Sequence, residues 1–308
     1  MRNTRRRGAV LATTTALALT LAGCGSSDES SGDTESTPGA DATGAANADP
    51  ITIGIHSGWE EGIAVSYLWQ HILEEQGYEV EMETADAGIV FTALSEGDYD
   101  VNFDTWLPQT HADYLEEFGA GMEELGMWFE GAPLTIAVNE DAPIDSLAEL
   151  AENADAFDGR LIGIESGAGL TRVVRDSVIP TYELEGMEFL ISSTPAMLAE
   201  LEAATNAGEN VVVTLWRPHW AYDAFPIKDL EDPEGALGDA DDIFVYGASG
   251  FAAEYPEVAE WIANFTMDSD ELHALVNIMW NENEGNDNEG SIEQWLEENP
   301  DFVSGITG

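Results

Sequence analysis

The sequence predicts an α/β protein whose strands pair in parallel, and three features of the chain support this. Short runs in which apolar and polar residues alternate, typical of strands, are separated by segments with the apolar spacing of helices. Glycine ends the first helical segment at Gly77. At 308 residues the chain is long enough to bury a core and to form two lobes. Strands that alternate with helices in this way usually form parallel sheets.

The predicted elements follow one another along most of the chain. Strands are predicted at 51–55, 78–82, 99–103, 134–138, 160–164, 211–215 and 243–246. Helices are predicted at 63–76, 89–94, 112–118, 144–151, 171–179, 196–207, 257–265, 270–280 and 292–298. Pro108 is expected just inside the start of the third helix, where its missing N–H costs nothing. We find no internal repeat.

Residues 1–24 are expected to be a signal peptide rather than part of the core. An arginine-rich start precedes a short apolar stretch, and Leu21-Ala22-Gly23-Cys24 resembles a bacterial lipobox. Cleavage would then leave Cys24 at the new N-terminus, where it would carry a lipid anchor. The alternative is an ordinary signal with a chance cysteine. Cys24 is the only cysteine of the chain, so no intrachain disulfide can form.

Residues 25–49 are predicted to be a flexible tether. The segment is rich in Ser, Gly, Thr, Asp and Ala and contains no aromatic residue. Such a composition cannot bury enough apolar surface to order itself. The folded part is therefore expected to begin near Pro50.

The chain is extremely acidic, with 61 Asp and Glu against nine Arg and Lys and a formal net charge of −52. Four of the nine cations lie in the signal, and five remain: Arg160, Arg172, Arg175, Arg217 and Lys228. Nucleic acid is not expected as a partner, because phosphate binding needs clustered Lys and Arg. The acidic residues interleave with apolar ones, which indicates a solvated acidic surface suited to high salt. The remaining cations could simply pair with carboxylates.

Three tryptophans each follow a predicted strand: Trp59, Trp106 and Trp216. Because the carboxyl ends of strands converge on one rim of a sheet, the three indoles are expected to meet at a ligand site. Four others lie on apolar helical faces and are expected in the core: Trp69, Trp261, Trp280 and Trp295. Trp128 and Trp220 cannot be assigned from the pattern.

A cluster of indole faces suits a quaternary ammonium, which has no N–H to donate and is attracted by the ring quadrupole. A carboxylate on the same ligand would need donors at the other end of the site. The start of the helix after Gly167-Ala168-Gly169 could offer the backbone N–H groups of Gly169 and Leu170. His111 could offer a ring N–H. Glycines at such a turn are a weak signal, and a solvated surface histidine is an equally good interpretation of His111.

Several stretches resemble the glycine betaine binding proteins of osmoprotectant ABC importers. They are Gly58-Trp59, Asp104-Thr105-Trp106-Leu107-Pro108-Gln109-Thr110-His111, Gly163-Ile164-Glu165-Ser166-Gly167-Ala168-Gly169-Leu170 and Thr214-Leu215-Trp216-Arg217-Pro218-His219-Trp220. The resemblance covers most of residues 51–250. It implies that Trp59, Trp106 and Trp216 cage a trimethylammonium group and that His111, Gly169 and Leu170 hold the carboxylate. The acidic pair Glu60-Glu61 is a departure that leaves the substrate range open.

The resemblance also implies a two-lobed periplasmic-binding-protein-like fold of type II, with the ligand in the interlobe cleft. Residues 50–137 and 222–308 would form lobe 1, and residues 138–221 would form lobe 2. The implied protein is extracytoplasmic, anchored through a lipid at Cys24, and delivers its ligand to an ABC permease. No cofactor, metal or catalytic residue is implied.

Two other classes of function compete with this interpretation. A secreted hydrolase is disfavoured because the chain has neither G-x-S-x-G nor H-E-x-x-H, and a metal site built on His111 and His219 would rest on two scattered histidines. An acidic cell-surface adhesion or display protein would bind no small molecule. Within the first interpretation, glycine betaine, proline betaine and carnitine cannot be ranked, and choline is expected to bind poorly because it leaves the carboxylate donors unpaired.

Overall fold

The computed structural model describes residues 49–308, which form two five-stranded mixed sheets flanked by helices. The predicted signal peptide, Cys24 and nearly all of the predicted tether lie outside the described residues. The first sheet has the strand order β2-β1-β3-β10-β4. Its strands are Ile51–His56 (β1), Val80–Ala85 (β2), Val101–Leu107 (β3), Met122–Ala132 (β4) and Asp241–Ala248 (β10).

The second sheet has the order β7-β6-β8-β5-β9. Its strands are Leu134–Asn139 (β5), Arg160–Ile162 (β6), Glu188–Leu190 (β7), Val212–Trp216 (β8) and Ile227–Asp229 (β9). In both sheets the strands joined by helices pair in parallel, as predicted: β1 with β2 and β3, and β6 with β7 and β8. Antiparallel strands complete each sheet, since β10 pairs with β3 and β4, and β5 pairs with β8 and β9.

Helices surround the two sheets and close the chain. They are Glu60–Glu75 (α1), Ala87–Glu96 (α2), Ala112–Phe118 (α3), Gly169–Val173 (α4), Ile179–Thr181 (α5), Thr194–Ala207 (α6), Ala221–Ala224 (α7), Phe251–Glu254 (α8), Pro256–Asn264 (α9), Ser269–Asn277 (α10), Asn288–Glu298 (α11) and Phe302–Thr307 (α12). A π-helical turn, Val174–Val178, joins α4 to α5, so one helical segment runs from Gly169 to Thr181. Within the described residues, none of the helices combines the length and apolarity needed to span a membrane.

Three local predictions were wrong or incomplete. The helix predicted at 144–151 is only a 3-10 turn, Leu147–Glu149, capped by Ser146. Pro108 does not start a helix: α3 begins at Ala112, and the turn before it is held by the Asp241 carboxylate, which accepts the backbone N–H groups of Gln109 and Thr110. The long strand β4 was not predicted, because few of its residues are buried and they do not alternate.

The chain passes between the sheets twice, after Ala132 and again between Asp229 and Asp241. The lobe boundaries expected at 137/138 and 221/222 differ from these crossings, because they would divide β5 and separate β9 from the second sheet. A core of aromatic side chains supports the first sheet. Trp69 stacks on Phe103 with ring centroids 5.1 Å apart, and Trp128 stacks on Phe265 at 5.6 Å. Burying such rings removes more apolar surface from water than any other side chain would.

Candidate functional site

One cavity is lined by all six residues predicted to bind ligand. Its lining comes from elements of both sheets: Trp59, Glu61, Trp106, Thr110, His111, Leu134, Ile164, Ala168, Gly169, Leu170 and Trp216. The three indoles therefore meet as the sequence predicts, although Trp216 comes from the second sheet and not from the rim that Trp59 and Trp106 share.

The indoles of Trp59 and Trp106 enter the cavity from the first sheet. Trp59 follows β1 and immediately precedes α1, and Trp106 lies near the end of β3. Their exposed fractions are 6% and 3%, so the two rings are almost wholly withdrawn from water. Trp106 Nε1 donates to Asp104 Oδ1 at 2.6 Å, which fixes the rotation of its ring. The Trp106 indole therefore has a defined orientation, whereas Trp59 Nε1 is buried without a hydrogen-bond partner among the described residues.

Trp216 reaches the same cavity from the second sheet, where it is the last residue of β8. Its Nε1 donates to Glu61 Oε2 at 2.9 Å, so a carboxylate on α1 orients an indole on the opposite sheet. The ring of His219 packs edge-on against Trp216 with centroids 4.7 Å apart. The indole of Trp216 is thus oriented partly by one residue of α1.

His111 is a buried residue of the site rather than a solvated surface histidine, since only 1% of it is exposed. Its Nδ1 accepts the backbone N–H of Trp106 at 2.9 Å, so the ring proton of the neutral imidazole lies on Nε2. Among the described residues Nε2 is buried and has no hydrogen-bond partner. The ring stacks on Trp59 at 5.4 Å between centroids. This geometry leaves a donor for a ligand acceptor.

Burial keeps the imidazoles of the site uncharged. Desolvation holds the pKa of His111 well below its ordinary value, and the neighbouring His56 and Arg172 lower it further. Burial likewise lowers the pKa of His56 to about 3, against a smaller opposing contribution from the backbone of Asp104. At neutral pH His111 can therefore act as a hydrogen-bond donor without carrying a proton on both nitrogens.

Gly169 and Leu170 form the start of α4, on the far side of the cavity from β1 and β3. The first N–H groups of a helix have no intrahelical acceptor, and the helix dipole favours a negative group there. Gly169 packs directly against the turn after β3, because a Cβ on it would lie 2.0 Å from the backbone oxygen of Thr110. Only glycine permits this approach of the two chain segments.

Further hydrogen bonds join the same two segments. Arg172 Nη2 donates to the backbone oxygen of Gln109 at 2.9 Å, and its Nε lies 3.0 Å from Asp113 Oδ2. The hydroxyl of Tyr114 donates to the backbone oxygen of Gly167 at 2.9 Å. The turn after β3 and the start of α4 are therefore held together around the cavity.

The expectation that the few cations pair with carboxylates is confirmed where they flank the motifs. Arg175 pairs with Asp176 at 3.0 Å. Arg217 pairs with Asp229 at 2.7 Å and covers the ring of Tyr222. In residues 49–308 no group of three or more His, Cys, Asp or Glu side chains is placed to hold a metal ion.

Sequence reasoning missed five residues that line the cavity: Glu61, Thr110, Leu134, Ile164 and Ala168. Thr110 and Ala168 lie within the motifs identified in the sequence, so their position next to predicted site residues could have indicated them. The sequence pattern predicts Leu134 and Ile164 as ordinary apolar core positions. Glu61 was noticed only as an acidic residue beside Trp59, and nothing in the sequence indicates that it would be buried and bonded to Trp216.

The chain resembles proteins of one family. The family model described as "OpuAC: Substrate binding domain of ABC-type glycine betaine transport system" matches residues 49–298. The chain is 30% identical over 165 residues to the glycine betaine/carnitine transport binding protein GbuC of Listeria monocytogenes. That match covers 53% of each protein, so the chain spans about half the length of this curated relative.

Two solved structures are similar over most of this chain. The glycine/betaine/L-proline-binding protein ProX of Borrelia burgdorferi has a TM-score of 0.78 at 26% identity, covering 84% of this chain and 97% of ProX. A choline binding protein of an ABC transporter, solved in complex with choline, has a TM-score of 0.74 at 25% identity. That similarity covers 83% of this chain and 92% of the choline binding protein. The predicted fold class, a two-lobed α/β fold of the periplasmic-binding-protein kind, is confirmed.

Proposed function

The chain belongs to the OpuAC family, the substrate-binding domains of ABC-type glycine betaine transport systems, and we propose that it captures glycine betaine or a related methylated zwitterion and delivers it to an ABC permease for osmoprotectant uptake. One observation carries the proposal. Three indoles and a histidine with an unpartnered N–H line one buried cavity: Trp59, Trp106, Trp216 and His111. The matching relative and solved structures are named as transporter binding proteins, which favours this function over the adhesion protein and the hydrolase.

The trimethylammonium group of the ligand is proposed to lie among Trp59, Trp106 and Trp216. Each indole face attracts such a cation by about 0.5–2 kcal/mol, with the larger values in desolvated sites. All three rings are at most 6% exposed, so this cage lies at the desolvated end of the range. Hydrogen bonds from two of the indoles to Asp104 and Glu61 keep the rings in place when the site is empty.

The carboxylate of the ligand is proposed to accept hydrogen bonds from three donors. They are Nε2–H of His111 and the backbone N–H groups of Gly169 and Leu170. The neutral tautomer of His111 and the start of α4 support this placement. The donors lie on both sides of the cavity, so a ligand that bridges them would favour the closed arrangement of the two lobes. We propose that each sheet forms one lobe, with the boundaries at the two crossings, after Ala132 and between Asp229 and Asp241. We also propose that the permease recognises the closed form.

The protein is proposed to work outside the cytoplasm, held at the membrane by a lipid on Cys24. The lipobox-like stretch before Cys24 supports this proposal. Fractionation of cells that produce the full chain tests it. Wild type should sediment with membranes and Cys24→Ala should not, and wild type that stays in the soluble fraction would contradict the anchor.

Tryptophan fluorescence tests the ligand class, because three of the nine tryptophans line the cavity. Titration with glycine betaine, proline betaine and carnitine should give saturable changes, and choline should bind more weakly because it leaves the carboxylate donors unpaired. Tert-butylacetate, the uncharged-head isostere of glycine betaine, serves as the matched control. No saturable change with any methylated ammonium ligand would refute the proposed function.

A further inference from the structure

Two of the cage indoles donate their N–H groups to buried carboxylates that the cage itself does not require. Trp106 donates to Asp104 at 2.6 Å, and Trp216 donates to Glu61 at 2.9 Å. Asp104 is 1% exposed and Glu61 is 2% exposed. Any neutral acceptor would orient an indole equally well, so the use of two carboxylates calls for another explanation.

The two carboxylates both lie at the first turn of α1. Asp104, on β3, faces the first turn of α1, where a Cβ at Gly62 would lie 2.3 Å from Asp104 Oδ2. Glu61 is the neighbouring residue in that turn and lines the cavity. Oδ2 of Asp104 is buried and has no hydrogen-bond partner among the described residues. A carboxylate oxygen in that situation is stabilised by a proton or by a nearby positive charge.

The titratable groups around this pair are one further glutamate and three histidines. Glu60 on α1 is buried and adds a third acid, with its Oε2 3.3 Å from His219 Nε2. His219 Nδ1 accepts the N–H of Ala221. His56 on β1 and His111 after β3 have lowered pKa values and are neutral at physiological pH. The residues that line the cavity include neither Lys nor Arg.

We propose that Glu61 and Asp104 form a proton-sharing pair that determines the charge specificity of the site: the empty site retains a proton on the pair, and capture of a quaternary ammonium expels that proton to solvent. The inference rests on the proposed function. Burial raises the pKa of Asp104 to about 7, against an opposing hydrogen bond from Trp106. Burial, followed by the charge of Asp104, raises the pKa of Glu61 well above its ordinary range. A ligand cation in the cage provides the missing positive charge, so it binds the deprotonated pair more tightly than the protonated one.

Proton release makes binding depend on pH in a defined direction. Below the pKa of the empty pair, each ligand bound releases up to about one proton, and affinity rises with pH by up to about tenfold per unit. Above that pKa the pair is already ionised, so affinity levels off. Tert-butylacetate has the shape of glycine betaine without its cation, and it should bind far more weakly at high pH because it cannot neutralise the pair.

Isothermal titration calorimetry of the purified protein with glycine betaine, from about pH 5.5 to about pH 8.5, tests the linkage. Titrations repeated in buffers with different ionisation enthalpies give the number of protons released on binding. We expect weaker binding at the acidic end, together with a binding enthalpy that depends on the buffer. Saturable binding with the same affinity at every pH and no buffer dependence would overturn this inference and leave the proposed function intact. No binding at any pH would overturn both.

Variants assign the effect to the pair. Glu61→Gln and Asp104→Asn each keep an oxygen that accepts the indole N–H, so a merely structural role predicts an unchanged pH profile. The proposal instead predicts that proton release near pH 7 approaches zero and that affinity at high pH falls by about tenfold or more for each variant. Glu116→Gln, which removes one exposed carboxylate from α3, is the matched control and should bind like wild type. Variants that bind with the wild-type pH profile would refute the proposal.

Discussion

The backbone N–H of Trp106 donates to Nδ1 of His111 at 2.9 Å, and the N–H of His111 donates back to the backbone oxygen of Trp106. This reciprocal pair closes the turn between β3 and α3. It also places the imidazole proton on Nε2, the atom that has no partner in residues 49–308. The Trp106 backbone and the unpartnered Nε2–H of His111 are therefore positioned by one six-residue turn, residues 106–111.

Replacing His111 should affect ligands with a carboxylate more than ligands without one. A hydrogen bond to a charged group contributes about 1.5–3 kcal/mol, so His111→Leu should weaken glycine betaine binding by about tenfold to a hundredfold. Binding of choline, which has the same trimethylammonium group and no carboxylate, should change less. Calorimetric titration of both ligands measures the difference. Equal losses for the two ligands would mean that His111 only supports the packing of Trp59.

Adding a methyl group at Gly169 should keep the two sides of the cavity apart. The new Cβ would meet the backbone oxygen of Thr110 at 2.0 Å, which neither backbone can accommodate without moving. We expect Gly169→Ala to weaken glycine betaine binding at least about tenfold, because the donors on α4 no longer reach the ligand.

The matched control for that variant is Gly186→Ala. No atom lies within 4 Å of a Cβ built on Gly186, and its backbone does not require glycine. The control should bind like wild type and be no less stable. Wild-type affinity in Gly169→Ala would show that the close approach to Thr110 is unnecessary for binding.

Arg172 should contribute to affinity without lining the cavity. It joins α4 to the turn after β3 through Gln109 and Asp113, so Arg172→Met should favour the open arrangement and weaken binding by about tenfold. Arg175→Met removes the same charge from an exposed pair with Asp176 and should have little effect. Small-angle scattering with saturating ligand should still show closure in both variants. Equal affinities in the two variants would count against this role of Arg172.

Acid should destabilise the protein partly through His56. Its pKa falls from about 6.5 in the unfolded chain to about 3 in the folded protein, so the unfolded state binds more protons between these values. The contribution of His56 to the free energy of unfolding is fully present above about pH 6.5. It is lost as pH falls towards 3, by about 1.4 kcal/mol per pH unit. The raised pKa values of Glu61 and Asp104 act in the opposite direction, so a comparison with a variant is needed.

His56→Leu removes the titrating ring and should flatten that part of the profile. Denaturant unfolding at about pH 7 and about pH 4.5 measures the free energy of unfolding of wild type and variant. The variant should become more stable relative to wild type at the lower pH. The same difference at both pH values would show that His56 is not responsible for acid sensitivity.

Much of the site was predictable because it depends on where strands end. Trp59 follows β1 and Trp106 lies near the end of β3, so the geometry of the first sheet brings them to one rim, whereas Trp216 ends β8 of the second sheet and reaches them across the cavity. The parallel pairing of β1, β2 and β3 followed from the alternation of strands and helices for the same reason. These features depend on local sequence patterns alone.

The features that were missed depend on contacts between distant residues. Glu61 is buried and accepts the indole N–H of Trp216, which lies 155 residues later in the chain. The turn at Pro108 is held by Asp241, 132 residues beyond Gln109. The helix expected at 144–151 is shortened where Ser146 forms an isolated bridge with Glu231. A pattern read along the chain cannot show such pairings.

Thermal unfolding with and without glycine betaine tests the tryptophan cage most directly. Ligand at 100 times its dissociation constant should stabilise wild type by about 2.7 kcal/mol, which raises Tm by several degrees. Trp106→Ala should lose most of that shift, while Trp261→Ala, a change in a partly buried tryptophan of α9, should keep it. A wild-type shift that persists in Trp106→Ala, or no shift in wild type, would contradict the proposal that three indoles hold a methylated zwitterion in this cavity.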